Sequence, residues 1–152
     1  MVKLNIIEKN ILTVEKGIIA HCCNTQKKMG AGLALAIRNM YPQVYQAYIS
    51  KPNWELGDTQ LVPVSADLVI ANMATQDKCG TNKIQTSLNA FKECLHYIKG
   101  YADARDLPVF LPYYAGSGLA GGPTKETRAD TWKAVSDLIY TVIPNAIICR
   151  KV

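Results

Sequence analysis

No apolar run in this 152-residue chain approaches bilayer-spanning length, and no signal-peptide pattern opens it, so neither a membrane protein nor an exported one is expected. No two cysteines have the C-x-x-C spacing. The five cysteines are an odd number, and Cys22 and Cys23 are adjacent on a strand-like run, where neighbouring side chains point to opposite faces. That pattern predicts a reduced, cytoplasmic chain with no metal site and no bound cofactor. Ser-, Gln- and Pro-rich tracts are missing, as is any repeat period, which removes the disordered and solenoid classes and leaves one domain over residues 1–152. Charge is sparse, at 19% of residues, with 17 Lys and Arg against 12 Asp and Glu. The resulting +5 leans towards an anionic partner, but it is dispersed rather than gathered into a stripe, so nucleic acid is not the expected ligand.

What the chain has is apolar sequence, 49% of it, enough for a packed core. Strand-like runs fall at residues 2–7, 17–23, 60–64, 68–74, 108–114 and 146–152, several of them apolar on both faces as in a sheet covered on both sides. Helical spacing recurs at residues 82–99, through Ile84, Leu88, Phe91, Leu95 and Ile98, and at residues 124–142, through Ala129, Trp132, Val135, Leu138 and Ile139. Shorter helices are predicted at residues 32–40 and 43–49, parted by Pro42. Alternating strands and helices predict an α/β sandwich, with Met40, Trp54 and Met73 in its core.

Twice, an apolar strand runs into a glycine-rich loop that opens into a helix: first IIAHCCNTQKKMGAGLALAI, then VFLPYYAGSGLAGGPTKET. Backbone N–H groups at such a junction make an anion cradle, and two cradles predict a ligand with two phosphates. In an open α/β sheet both loops would gather beyond the carboxyl ends of the strands. Residues 116–121 read G-x-G-x-x-G, but too late in the chain for a dinucleotide-binding unit, and neither loop has the Walker ending.

Several segments, in order along nearly the whole chain, resemble the macro domain family, which binds ADP-ribose. They are EKNI (8–11), AHCCNTQKKMGAGLALAI (20–37) followed by Tyr41-Pro42, GDTQLVPV (57–64), VIANMATQDKCG (69–80) and GSGLAGG (116–122). The resemblance implies a three-layer α/β/α sandwich with a mixed, largely parallel sheet. It implies that Asn24 and the turn Gly30, Ala31 and Gly32 hold the distal ribose, and that Gly116, Ser117, Gly118, Leu119 and Ala120 wrap the pyrophosphate. Asn10, beside Ile11, stands where many relatives have an aspartate that accepts from the adenine amino group. Arg150 stands where an aromatic ring often meets the base, and a guanidinium plane also stacks.

His21, three residues before Asn24, is the candidate acid or base. It matches a histidine of the branch that removes phosphate from ADP-ribose 1″-phosphate. A second branch releases ADP-ribose with a lysine and an aspartate; the aspartate position is Ala120 here, and no lysine matches. The expected activity is therefore phosphomonoester hydrolysis, with Asn24 assisting His21. A reader of ADP-ribose or ADP-ribosylated protein, and a hydrolase of protein-linked or O-acyl-ADP-ribose, are the alternatives. Asp77 is a second acid–base candidate, Lys27 and Lys28 candidates to neutralise a terminal phosphate, and His96 is expected outside the site.

Overall fold

The computed structural model describes residues 3–78, 82–118 and 120–151. Six strands form one sheet in the order β1-β6-β5-β2-β4-β3. They are β1 (Asn5–Glu8), β2 (Gly17–Asn24), β3 (Thr59–Pro63), β4 (Leu68–Gln76), β5 (Val109–Pro112) and β6 (Ile147–Arg150). All neighbours are parallel except β3, which runs antiparallel to β4 at one edge and ends on Pro63, where a missing donor costs least. The helices are α1 (Gly32–Met40), α2 (Pro42–Ser50), α3 (Leu88–Arg105) and α4 (Lys125–Val142).

The strand alternation assigns each layer. Ile18 and Ala20 of β2, with Val69, Ala71 and Met73 of β4, pack on Phe91, Leu95 and Ile98 of α3 and on Val135 and Ile139 of α4. Ile19 and Ile70, from the opposite faces of the same strands, pack on Ile37 of α1 and Val44 of α2. Helices thus cover both faces, the three-layer sandwich with a mixed, largely parallel sheet that the family resemblance implies. Cys22 packs in the first layer and Cys23 beside Tyr48 and Trp54 in the second, on opposite faces as adjacent strand residues must be.

Several expectations need correction. Residues 82–87 are not helical: Ser87 caps α3 by accepting the Ala90 N–H, and the segment before it is held elsewhere. Gln85 N–H and Thr86 N–H donate to the Ala120 carbonyl, and Ile84 bridges Gly121 while half exposed. The helical stripe at Ile84 is therefore a strap on the second glycine loop. At its other end α3 runs past Lys99 to Arg105, stopping at Asp106 in the left-handed region. Met40 is 50% exposed at the end of α1, whereas Trp54 and Met73 are buried. Among the described residues, no helix is long and apolar enough to cross a membrane.

Candidate functional site

Chain order reverses at β2. From there the chain passes through α1 and α2 towards β4 on one side, and β4 returns through α3 to β5 on the other. The loops leaving β2 and β5 therefore splay to opposite faces, and the crevice between them is where a ligand enters an open α/β sheet. A cleft lies there in two adjoining lobes, sharing Gly32, Leu33, Pro112 and Tyr113. One, about 460 Å³, is lined by Lys9, Asn10, Ile11 and Arg150; the other, about 550 Å³, by His21, Asn24, Lys28 and both glycine loops.

The electrostatics of the lining are one-sided. Lys9, Lys28, Arg150 and Lys151 line the cleft, and among the described residues no carboxylate does. Asp77 stands apart, its carboxylate accepting the Thr25 hydroxyl at 3.0 Å and so tying the end of β4 to the first loop. Lys27 does not line the cleft, and His96 is exposed on α3.

The first loop is built around Asn24. Its Oδ1 accepts from the backbone N–H of Gln26 at 3.0 Å and of Lys28 at 3.2 Å and from the Tyr48 hydroxyl at 2.9 Å, while its Nδ2 donates to the Lys28 carbonyl at 2.8 Å. Asn24 thus shapes the loop that presents Gly30, Ala31 and Gly32. α1 begins at Gly32, whose φ of +57° suits glycine and whose missing Cβ leaves open space. Its cap residue, Ala31, supplies no side-chain acceptor, so α1 starts without a side-chain cap, and its first residues, Gly32, Leu33 and Ala34, line the cleft.

The second loop differs. Gly116, Gly118 and Ala120 line the cleft, but α4 does not, and its start is closed by Thr124 and Thr127 in a reciprocal capping box. The junction expected to act as a second helix-end cradle is therefore a glycine loop alone. Gly116 has φ +68°, and a Cβ there would press on Phe91 at 3.1 Å and Thr86 at 3.3 Å. Ser117 is fully buried and donates its hydroxyl to the Ala115 carbonyl, shaping the loop from beneath. Leu119 lies outside the described residues.

In the smaller lobe, Ile11 is buried on the wall and Asn10 caps the short turn after β1, its Oδ1 accepting the Leu12 N–H at 3.0 Å. A carbonyl oxygen has two lone pairs, so one more donor fits. Arg150 pairs with Glu8 of the adjoining strand, and its guanidinium carbon lies 5.5 Å from the centre of the Tyr113 ring. Tyr113 and Tyr114 continue outward onto Trp132, with centroids 5.0 and 5.6 Å apart along the stack.

His21 sits on the floor of the larger lobe, 1% exposed, with Nε2 2.5 Å from Asn72 Oδ1. Burial depresses it to about 4, against the pull of that hydrogen bond, so the ring is neutral at pH 7. A neutral imidazole accepts a proton rather than supplying one. Cys22 and Cys23 also line this lobe, but burial raises the Cys22 thiol to about 12 and drives Cys23 upward too, so neither is a thiolate at neutral pH. Reading the sequence missed Asn72 and Gln60, the amides behind His21. Their signal was present: a lone amide interrupts the apolar run of β4, and a glutamine stands early in β3.

No protein-family model matches the chain, and no curated protein does. Solved structures do. A Bacteroides thetaiotaomicron protein of unknown function superposes with a TM-score of 0.79 at 24% identity over 99% of both chains. A Streptomyces coelicolor macrodomain protein gives 0.76 at 25% identity, over 97% of this chain and 98% of its own. DarTG of Thermosipho africanus, solved in complex with ADP-ribose, gives 0.71 at 16% identity over 97% of this chain and 41% of its own. The chain has the macrodomain fold.

Proposed function

We propose that the cleft binds ADP-ribose and that the protein removes the terminal phosphate from ADP-ribose 1″-phosphate. The observation that carries the binding half is the lining: the start of α1, which has no side-chain cap, and a glycine loop, with four basic residues and no carboxylate among the described residues. In this reading the diphosphate lies between those loops, with the nucleoside in one lobe and the second ribose in the other. Two structural neighbours were solved with ADP-ribose, the DarTG above and a Trypanosoma brucei macrodomain, which supports this choice of ligand.

The hydrolytic half rests on His21. In this reading the neutral imidazole, which lines the larger lobe with Lys28 and the first loop, takes a proton from water attacking a phosphate held there. A bound phosphate dianion favours the imidazolium and raises the depressed histidine towards neutrality. Phosphate release from ADP-ribose 1″-phosphate tests this. The expected result is turnover that falls about 10²-fold or more in His21→Ala, the usual scale of a lost general base, with ADP-ribose affinity little changed. Full turnover in that variant removes His21 from the chemistry.

One observation favours a second reading. His21 is almost wholly buried and its Nε2 is satisfied by Asn72, as in a structural histidine, so the same cleft serves equally for a reader of ADP-ribose or ADP-ribosylated protein. ADP-ribose binding with no release of phosphate overturns the phosphatase reading and leaves a reader or a hydrolase of another ADP-ribose adduct, which release of ADP-ribose from a modified protein or an O-acyl ester separates.

A further inference from the structure

His21, Asn72 and Gln60 stand on one row across three strands, His21 opposite Asn72 in the β2–β4 pair and Asn72 opposite Gln60 in the β4–β3 pair. Their side chains form one continuous line. Gln60 Nε2 donates to the Ala47 carbonyl of α2 at 2.8 Å, Asn72 Nδ2 donates to Gln60 Oε1 at 3.0 Å, and Asn72 Oδ1 meets His21 Nε2 at 2.5 Å. Asn72 is wholly buried, where an unmatched polar group is costly.

The far end of the line sets its direction. A backbone carbonyl only accepts, so Gln60 turns its NH₂ to Ala47 and its oxygen to Asn72. Asn72 then turns its NH₂ to Gln60 and its oxygen to His21, and that oxygen requires a donor. We propose that Asn72 and Gln60 are positioning residues that hold His21 in its Nε2–H tautomer, leaving Nδ1 as the proton-accepting atom at the cleft floor. The competing Nδ1–H form sets two lone pairs against each other at Nε2 and Asn72 Oδ1, and among the described residues offers Nδ1–H only the Cys23 sulfur at 3.9 Å.

The catalytic use of this arrangement rests on the phosphatase reading. As the oxygen of water bonds to the terminal phosphorus, the ester P–O bond to the ribose breaks, the proton of the water passes to His21 Nδ1, and the departing ribose oxygen takes a proton from solvent. The tautomer itself does not depend on that reading.

The test is a long-range ¹H–¹⁵N spectrum of histidine-labelled protein at neutral pH, beside steady-state phosphate release. Wild type is expected to show His21 protonated at Nε2 and bare at Nδ1. Gln60→Leu touches neither His21 nor the cleft, yet it frees Asn72 to turn over. The variant is expected to show both tautomers, with kcat down about tenfold and KM unchanged, part of the full effect of losing a general base. Asn72→Leu is expected to show the same mixture. An Nδ1–H tautomer in wild type overturns the proposal, as does an unchanged Nε2–H spectrum in Gln60→Leu. The predicted spectra with no phosphate release uphold the tautomer and overturn the phosphatase reading instead.

Discussion

His21 makes the stability of the protein depend on pH in a definite direction. Its folded value near 4 lies below the ordinary 6.5, so between those values the unfolded chain binds a proton that the folded chain refuses. The stabilisation from burying it neutral is complete above pH 6.5 and is lost as pH falls towards 4, a loss on the order of 3 kcal/mol. The groups bonded to the ring or facing it, the Asn72 amide and the Cys23 thiol, are uncharged and do not offset it. Denaturant unfolding at pH 7 and pH 4.5 is expected to show a stability drop in wild type that shrinks in His21→Gln; equal drops would remove His21 as its source. Gly116 gives a second prediction at this scale. Its left-handed φ and the closeness of Phe91 and Thr86 leave no place for a methyl group, so Gly116→Ala is expected to cost about 1–3 kcal/mol in chemical denaturation.

The two helices after the glycine loops look alike in sequence and behave differently. α1 begins behind Ala31, which supplies no side-chain cap, whereas α4 begins behind Thr124, whose hydroxyl accepts the Thr127 N–H. Thr124→Ala is therefore expected to cost about 1 kcal/mol of stability and to leave ligand affinity unchanged, as thermal melts and a titration would show. Ala31→Asp is expected to do the reverse: the new carboxylate caps α1 and adds about 1 kcal/mol, while it occupies the cradle and repels a phosphate. The run of glycines before Thr124 predicts a second cradle, and Thr124-x-x-Thr127 lacks the Glu or Gln that marks a capping box in sequence, so the reciprocal cap shows only in the structure. The start of α3 shows the same limit. Ile84 falls on the helical period, yet tertiary bonds from Gln85 and Thr86 to Ala120 hold that segment against the glycine loop, and no local pattern reports a bond across some thirty-five residues.

Across the whole molecule, the reversal of strand order at β2 places both glycine loops over one crevice, and the charge of the lining decides what enters it. The alternation of strands and helices and the position of both loops were readable from strand runs, helical periods and glycines, because burial on both faces leaves a pattern in sequence, whereas the strand order that reverses at β2 was not. The row His21–Asn72–Gln60 was not, because its meaning comes from register between strands that lie far apart along the chain. Nor could the sequence separate the four basic residues that line the cleft from the other thirteen, since only the fold gathers them. The central claim is that this crevice is an ADP-ribose site whose phosphates lie on the start of α1. Calorimetric titration of wild type and Ala31→Asp with ADP-ribose tests it most directly. One-to-one binding by wild type, weakened about tenfold or more in the folded variant by a misplaced charge of a kcal/mol or so, is the predicted result. Wild type that takes up no ADP-ribose, or a variant that binds it equally well, would contradict the account.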